Sequence, residues 1–340
     1  MELKLETFIG NSEVIIKEGL LNNVSDHLNL KPDTKLVIVS DQNIEKSLGK
    51  MLAAGLKDHP RIHLTLPPGE ASKNLSTIAE LSKQMLMSGI TKSDMVIGYG
   101  GGVITDLAGF LASIYMRGMK FVAIPTSLLA MVDAAIGGKT GVDLISKNAI
   151  GTTYLAEKVL IDPTLLESLP EDQKINGMGE VIKYGCIVDP SIFDDLNHPI
   201  EKCVRAKIEI CSADVSESGR RKILNYGHTF GHAIEAESNY QIGHGLAIAI
   251  GMGISNQIAQ KLNKQSPDVG NQIKRHLESA KLPTKLPEGM TIESLLKWIQ
   301  NDKKRTGDSI DFIIVPQIGR AEIVKLSMSE LKKLAGEINF

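Results

Sequence analysis

The stretch Asp94-Met-Val-Ile-Gly-Tyr-Gly-Gly-Gly-Val-Ile-Thr-Asp106 decides the fold class of the first half of this 340-residue chain. A buried strand is predicted over residues 94–99, and it runs into three glycines that open a helix from about Ile104. Such a turn lets backbone N–H groups approach a pyrophosphate, which the helix N-terminus also attracts. The dinucleotide fingerprint G-x-G-x-x-G is absent, so a tight structural turn is the alternative to a cofactor site.

Further strands and helices alternate on both sides of this stretch. The apolar pattern predicts strands over residues 35–40, 61–66 and 121–124, and residues 1–10 read as a polar strand. Helices are expected from the turn at 41–43 to about residue 56 and over residues 75–87. Strands that alternate with helices predict a parallel, doubly wound sheet.

The pattern changes after about residue 160, where helical periods dominate. Helices are predicted over 201–211, 221–237, 246–262, 271–279 and 292–300, and a hairpin is predicted near 311–325. We therefore divide the chain near Pro163, into an α/β domain over residues 1–163 and a mainly helical domain over residues 164–340.

Composition narrows the classes of partner. The formal net charge is −2 and 42% of the residues are hydrophobic, which gives no general reason to expect nucleic acid or a membrane as partner. The three cysteines form no C-x-x-C pair, as expected for reduced thiols. No secretory signal is evident at residues 1–10, so a cytoplasmic location is expected by elimination.

Three histidines and a carboxylate in the second half indicate metal chemistry. His228 and His232 are at i and i+4 on one helix face, His244 follows, and Glu180 precedes Lys183 by one turn. Two imidazoles and a carboxylate, with one position left open, suit a catalytic zinc site. Spacing nominates the i, i+4 pair and leaves Glu180 and His244 as competitors for the third position. The alternative is that these histidines lie in the core, with their hydrogen bonds satisfied, and bind no metal.

Cationic side chains indicate an anionic ligand. Lys139, Lys147 and Asn148 follow Asp133 in a small-residue segment, where they could bind a phosphate or a carboxylate or simply line a solvated loop. Basic groups also occur just before the histidine segment and at residues 302–305. They are either solvated faces or countercharge for an anionic substrate near the metal.

Several longer motifs carry a family resemblance. They are Gly100-Gly-Gly-Val-Ile-Thr-Asp106, Tyr115-Met-Arg-Gly118, the segment 125–140, Glu180-Val-Ile-Lys183 and Asn225-x-Gly-His-Thr-Phe-Gly-His232. With them the chain resembles, nearly end to end, the 3-dehydroquinate synthases, sugar-phosphate cyclases of the shikimate pathway. The resemblance implies an α/β N-terminal doubly wound (Rossmann-like) domain plus a mainly α-helical C-terminal domain.

The resemblance also assigns ligands, position by position. It implies zinc, or cobalt, held by Glu180, His228 and His244, and it moves His232 to the substrate phosphate. Arg117 would reach the phosphate pocket of a neighbouring subunit, which implies a homodimer, and one or both of Lys303 and Lys304 would face the phosphate. The other substrate positions would be Asp133, Lys139, Asn148, Lys183, Lys207, Arg221 and Asn225. NAD would be bound by Asp41, Asn43, Glu70, Lys73, Gly101, Gly102, Val103, Asp106, Thr126, Ser127 and Lys147, with Lys139 shared between the two sets.

The implied substrate is a small phosphorylated sugar acid, 3-deoxy-D-arabino-heptulosonate 7-phosphate. The implied reaction oxidises it transiently with NAD⁺, eliminates phosphate, returns the hydride, and closes the ring by an intramolecular aldol step to 3-dehydroquinate. Rival readings are sister cyclases, an NAD-dependent polyol dehydrogenase of related fold, and a non-catalytic relative. Arg221, Asn225 and His232 favour the dehydroquinate reaction over cyclases for glucose 6-phosphate or sedoheptulose 7-phosphate. An enzyme for an amino analogue of the substrate would share the carboxylate pocket.

Overall fold

The computed structural model describes residues 1–57, 59–144, 147–300, 309–338 and 340. They form two compact units, one of Met1–Pro170 with Lys207–Ser216 and one of Glu171–Ala206 with Glu217–Phe340. The division at residue 163 that the sequence suggests stays a prediction. Lys303 and Lys304 lie outside the described residues.

A seven-stranded sheet organises the first unit. Its strand order is β1-β2-β9-β6-β5-β3-β4, and every neighbouring pair is parallel except β1 with β2. The strands are β1 (Glu2–Thr7), β2 (Gly10–Ile16), β3 (Leu36–Asp41), β4 (Arg61–Leu66), β5 (Met95–Gly100), β6 (Lys120–Pro125) and β9 (Lys158–Ile161). Two further strands, β7 (Lys139–Val142) and β8 (Ile150–Thr153), pair as a separate antiparallel hairpin. The predicted parallel sheet is confirmed.

Three helices follow strands of this sheet: α1 (Gln42–Gly55), α2 (Leu75–Met87) and α3 (Gly102–Ile114). Asp41 and Asn74 cap the first two helices by accepting hydrogen bonds from backbone N–H groups of the first turn. Helix α3 packs closely on β5 because the strand has glycines there: a Cβ on Gly98 would lie 2.9 Å from the Ala108 Cβ, and one on Gly100 would lie 2.7 Å from Ile104. This helix begins at Gly102, two residues before the predicted start.

Helices dominate the second unit, as the sequence predicts. They are α4 (Glu171–Ile187), α6 (His228–Glu237), α7 (His244–Lys261), α8 (Pro267–Ser279), α9 (Ile292–Gln300) and α10 (Met328–Gly336). The remaining helix, α5 (Ile200–Ala213), continues from this unit into the first. Strands β10 (Ser309–Gln317) and β11 (Arg320–Ser327) form the predicted hairpin. Residues 1–10, read as one strand, instead form β1 and the turn into β2.

The continuous helix predicted over residues 221–237 is wrong. A short 3₁₀ helix covers Arg220–Asn225, and α6 begins only at His228. The break lies at Gly227, whose φ of 79° is in the left-handed region that favours glycine. Apolar periodicity continues across this break, so it could not be seen from spacing alone.

The core of the second unit forms around α6 and α7. Phe230 and Ile234 of α6 pack with Ile250 and Ile254 of α7 and with Phe312 of β10, all of them at most 1% exposed. Among the described residues, no helix combines the length and the apolar character needed to span a bilayer.

Candidate active site

The predicted cofactor residues follow the carboxyl ends of parallel strands. Asp41 ends β3, Glu70 follows β4, Gly101 follows β5, and Thr126 and Ser127 follow β6. Because these four strands are adjacent and parallel, their carboxyl ends meet at one edge of the sheet. The Thr126 N–H donates to the Gly100 carbonyl at 2.9 Å, which joins two of the loops directly.

The side on which strands are added to the sheet changes between β3 and β5, although the two strands are parallel. Strand β4 lies on one side of β3, whereas β5, β6 and β9 lie on the other, which makes the β3–β5 boundary a topological switch point. Ligands of open α/β sheets bind in the crevice at such a point. Asp41 and Gly101 flank it, and the Asp41 carboxylate accepts from the N–H groups of Asn43 and Ile44 at 2.9 and 3.1 Å. Asp41 therefore caps α1 whatever else it binds.

Lys73 connects two of the predicted sets. Its Nζ donates to Asp106 Oδ2 at 2.6 Å and to Asn148 Oδ1 at 2.5 Å, and its side chain is 3% exposed. Burial raises the pKa of the Asp106 carboxyl, and the charge of Lys73 opposes that shift. Asn148, predicted for the substrate, thus lies against residues predicted for NAD. Nearby, Lys147 Nζ lies 3.6 Å from Glu70 Oε1, so this part of the set is also ion-paired.

Two predicted substrate residues meet in the same unit. Lys207 Nζ donates to Asp133 Oδ1 at 2.9 Å, and the lysine side chain is only 6% exposed. Lys139, at the start of β7, and Arg117 are both exposed. Arg117 follows Met116 in a turn where both residues have positive φ, at 62° and 48°. The backbone thus holds Arg117 in a conformation that few arginines adopt.

Three side chains in the second unit form a compact donor set. Glu180 Oε1 lies 3.5 Å from His228 Nε2 and 3.2 Å from His244 Nε2. The Glu180 side chain is 1% exposed, and those of His228 and His244 are 11% and 22% exposed. One ligand atom from each residue lies within 4.8 Å of the others. These are the three residues that the family resemblance assigns to the metal.

Hydrogen bonds on the far side of each imidazole orient the two rings. His228 Nδ1 lies 3.1 Å from the carbonyl oxygen of Tyr226, which can only accept, so the proton belongs on Nδ1. His244 Nδ1 lies 3.1 Å from Glu235 Oε2. Metal-binding histidines ordinarily donate their second N–H to a carbonyl or carboxylate in this way, which leaves the Nε2 lone pair for the metal.

Glycines let the three supporting helices approach closely enough for this set to form. A Cβ on Gly179 of α4 would overlap the backbone of Gly245 in α7, and a Cβ on Gly245 would overlap the Asn176 carbonyl. Glu180 directly follows Gly179, and His244 directly precedes Gly245. A Cβ on Gly227 would lie 2.6 Å from the Ile248 carbonyl oxygen, which shows how closely the start of α6 approaches α7. The backbone contact therefore brings carboxylate and imidazole together.

The i, i+4 partner His232 lies beside this set. Its ring centroid is 5.3 Å from that of His228 and 5.9 Å from that of His244. His232 also belongs to a second donor set with Glu235 and His244. Among the described residues there are thus two donor sets, which share His244, and neither contains both members of the i, i+4 pair that spacing nominates. Glu235 was not among the predicted site residues, although its position seven residues after His228 places it on the same helix face.

Three more predicted substrate residues lie in this unit. Lys183 forms an ion pair with Glu180 Oε2 one turn away, and both side chains are 1% exposed. Arg221 is fully buried. Asn225 Nδ2 donates to Glu217 Oε1, another carboxylate that spacing did not indicate. Lys183 thus adds a buried ammonium to the metal-type donors.

The donor set fits a divalent zinc-type ion. One carboxylate oxygen and two imidazole Nε2 atoms supply three ligands of the kinds that zinc prefers, and three protein ligands leave a position for substrate. Both rings already have an acceptor at Nδ1, so neither must change its hydrogen bonding to present Nε2. Glu180, His228 and His244 are therefore chemically suited to a catalytic metal.

Comparison with known proteins gives the family. The sequence profile described as 3-dehydroquinate synthase N-terminal matches residues 63–176, and the C-terminal profile matches residues 177–305. The curated 3-dehydroquinate synthase of Alkaliphilus metalliredigens is 38% identical, over 94% of this chain and 93% of that protein.

Solved structures agree on the fold. A 2-deoxy-scyllo-inosose synthase complexed with carbaglucose-6-phosphate, NAD⁺ and Co²⁺ superposes with a TM-score of 0.91 at 24% identity, over 99% of this chain and 100% of that chain. ValA, a 2-epi-5-epi-valiolone synthase from Streptomyces hygroscopicus with NAD⁺ and Zn²⁺ bound, gives 0.86 at 26% identity over 94% of each chain. The comparisons thus define a protein class with the two-domain, dehydroquinate synthase-like fold. Within that class, the chain belongs to the 3-dehydroquinate synthase family.

Proposed function

We propose that this chain converts 3-deoxy-D-arabino-heptulosonate 7-phosphate into 3-dehydroquinate and inorganic phosphate, with no net redox change. The observation that carries the proposal is the buried centre of Glu180, His228, His244 and Lys183, in a chain 38% identical to a 3-dehydroquinate synthase over nearly its full length. A related chain with only a binding role would not need two imidazoles and a carboxylate close together.

Glu180, His228 and His244 would hold zinc or cobalt, and the residues at the carboxyl edge of the sheet would hold NAD. Bound there, the divalent cation supplies Lewis acidity to a substrate alkoxide, and NAD⁺ supplies a hydride acceptor that gives the hydride back. NAD⁺ with Co²⁺ or Zn²⁺ in the two cyclase structures supports this assignment. The proposed NAD set is Asp41, Asn43, Glu70, Lys73, Gly101, Gly102, Val103, Asp106, Thr126, Ser127, Lys139 and Lys147.

Residues of the second unit would bind the anionic and hydroxyl groups of the substrate. The buried Lys183 ammonium and Arg221 guanidinium supply positive charge where water is largely excluded, so their attraction for a carboxylate or phosphate is strong. His232 would face the phosphate, and Asn225, held by Glu217, would orient a hydroxyl or the carboxylate. Such positioning replaces much of the work of a dedicated protein base.

Residues of the first unit complete the proposed substrate set. The Lys207–Asp133 pair is preformed, because the lysine is nearly buried and already donates to the carboxylate at 2.9 Å. Substrate hydroxyls could exchange into this pair without either charge being left alone. Lys139 and Asn148 belong to the same proposed set. Lys303 or Lys304 would add positive charge for the phosphate.

The proposed assembly is a homodimer in which Arg117 serves the phosphate pocket of the neighbouring subunit. Arg117 is exposed and fixed by two successive positive φ angles, which suits a side chain presented to another molecule. Mixing an Arg117→Ala chain with a chain that lacks Lys183 tests this: restored activity in the mixture supports sharing between subunits. Two variants that stay inactive when mixed would contradict it.

The direct test measures phosphate release and dehydroquinate formation from the heptulosonate phosphate, with NADH absorbance followed throughout. Equal amounts of both products, catalytic NAD and loss of activity with a chelator are expected. Phosphate without dehydroquinate would indicate a sister cyclase. Steady accumulation of NADH would indicate a polyol dehydrogenase, and preferential turnover of the amino analogue would identify that variant of the reaction.

A further inference from the structure

The imidazole of His244 lies between two buried carboxylates. Its Nε2 is 3.2 Å from Glu180 Oε1, and its Nδ1 is 3.1 Å from Glu235 Oε2. The Glu235 side chain is 3% exposed, and it comes from α6, whereas the histidine is the first residue of α7. A carboxylate this deeply buried is costly unless it is hydrogen-bonded or paired. The contact with His244 is one interaction that stabilises this buried carboxylate.

We propose that Glu235 is a positioning residue that fixes the His244 ring with its proton on Nδ1 and its Nε2 lone pair directed at the metal. The inference deepens the proposed function and rests on it for the presence of a metal at Glu180, His228 and His244. Glu235 would not touch the metal or the substrate. It would act only through the orientation and basicity of His244.

The two imidazoles of the centre differ in the acceptor behind them. His228 donates to a neutral backbone carbonyl, that of Tyr226, whereas His244 faces a carboxylate. A hydrogen bond to an ionised acceptor is about twice as strong as one to a neutral group, and it increases the electron density on the imidazole. His244 should therefore be the more basic ligand of the pair, and the more sensitive to loss of its partner.

Charge balance favours the same role. Two carboxylates, Glu180 and Glu235, accompany one ammonium, Lys183, so these buried groups carry a formal charge of −1. A divalent cation reverses that sign. Removal of Glu235 would take one negative charge away from the position of the cation and would weaken its binding, because Coulomb interactions in a buried site are weakly screened.

A different role for Glu235 is also geometrically open. His232, Glu235 and His244 form a donor set of their own, so Glu235 could be a direct ligand of an ion at that second position. If such an ion used the His244 Nδ1 lone pair, Nδ1 could not also donate to Glu235. The two roles therefore predict different numbers of tightly bound ions per chain.

The experiment compares the wild-type chain with Glu235→Gln, Glu235→Ala and the control Glu237→Gln. Glu237 is on the same helix, but its Oε2 accepts from Trp298 Nε1 at 2.5 Å. The readouts are zinc per chain, the rate of zinc release to a chromophoric chelator, and the visible absorption of the cobalt-loaded protein. Metal-free samples are unfolded thermally to compare the folds.

Glu235→Ala should weaken zinc binding by about 10- to 100-fold. Glu235→Gln should lose less, because its amide oxygen still accepts from Nδ1, and Glu237→Gln should behave as wild type. One zinc per wild-type chain and an altered cobalt spectrum only in the Glu235 variants are expected. If Glu235→Ala fails to fold, the nearly isosteric Glu235→Gln carries the test alone.

Equal zinc release in Glu235→Gln and wild type would overturn the positioning role. Two zinc ions per wild-type chain, with only one retained in Glu235→Gln at unchanged affinity, would overturn it in favour of a direct ligand. These measurements do not use turnover. Failure of the dehydroquinate assay alone therefore refutes the proposed function and leaves the metal-positioning result to be judged separately.

Discussion

The carboxyl edge of the sheet differs from the three-helix centre, the cluster of Glu180 on α4, His228 on α6 and His244 on α7, in how its residues are brought together. At the sheet edge, the candidate residues are close together because each follows the end of a strand, so the chain needs only the right loop after the right strand. At the centre, Glu180 and His244 are 64 residues apart and come from different helices. They meet because glycine backbones touch. The first site depends on topology, and the second on a few close contacts between helices.

The largest expected effect comes from removing a proposed metal ligand at the three-helix centre. His228→Ala should lower kcat by about 10³-fold, because a metal contributes several kcal/mol of transition-state stabilisation and each 1.36 kcal/mol is worth tenfold. It should also reduce bound zinc, measured by elemental analysis after dialysis. His198→Ala is the control, since the His198 side chain is 84% exposed and pairs with Asp195. Full activity with zinc absent from His228→Ala would contradict the assignment.

The next effect tests the buried ion pair at the sheet edge. Lys73→Met should cost about 3 kcal/mol in the free energy of unfolding at pH 7, because it leaves the Asp106 carboxylate without its cation. Burial already raises the Asp106 pKa above its ordinary value of 3.8, and loss of Lys73 raises it further. An acid with a raised folded-state pKa binds its proton more readily when folded, so stability falls as the pH rises above the unfolded value.

The destabilisation by Lys73→Met should therefore be small near pH 4 and grow toward pH 7, as measured by urea unfolding at each pH. The double variant Lys73→Met with Asp106→Asn should lose this pH dependence, because no carboxyl is left to titrate there. If the difference in unfolding free energy between Lys73→Met and the wild type did not change with pH, Lys73 would not stabilise the protein through its ion pair with Asp106.

A smaller effect tests the helix contact itself. Gly245→Ala should destabilise the protein by about 1–3 kcal/mol through overpacking and should also weaken zinc binding, since the Cβ would meet the Asn176 carbonyl. Gly336→Ala in α10 is the matched control, because a Cβ there meets nothing within 4 Å. Thermal unfolding and zinc titration of both variants provide the measurement. Unchanged zinc affinity in Gly245→Ala would separate the contact from the metal centre.

The smallest effect is expected at the glycine turn of the sheet edge. A Cβ on Gly101 would lie 3.4 Å from Ser127 Oγ, so Gly101→Ala fits the fold with little strain. It would, however, occupy the space through which a pyrophosphate approaches the backbone. NAD affinity, measured by calorimetry, should fall about tenfold, or about 1.4 kcal/mol, with thermal stability unchanged. Unchanged affinity would identify this stretch as a purely structural turn.

The contrast between the two regions also explains what sequence could predict. The parallel sheet was predictable because strand and helix periods are local properties, and β4 and α2 coincide with the predicted 61–66 and 75–87. The break at Gly227 was not, because its cause is close packing against α7. Helix α4 was also missed: its second half is buried on all sides, so it lacks the amphipathic period that marks a surface helix.

The proposed ligand set shows the same limit at the level of single residues. Spacing favoured His228 with His232, because i and i+4 share a helix face, and it left Glu180 and His244 undecided. Only a long-range contact brings the last two together, and no local pattern encodes it. Glu235 lies only three residues after the end of the quoted motif and was still not predicted, because its partner His244 is on the next helix.

The crossing of Gly179 and Gly245 has a consequence for how this family can change over time. Most packing faults can be repaired by a second substitution that shrinks a neighbour. Here the nearest neighbours are the Gly245 backbone and the Asn176 carbonyl, so replacing a side chain by a smaller one would not remove the overlap. Neither glycine can be substituted as long as the function requires the adjacent Glu180 and His244 to lie close together. We therefore expect these two glycines to be more strongly conserved than many of the surrounding charged residues in functional homologues of this chain.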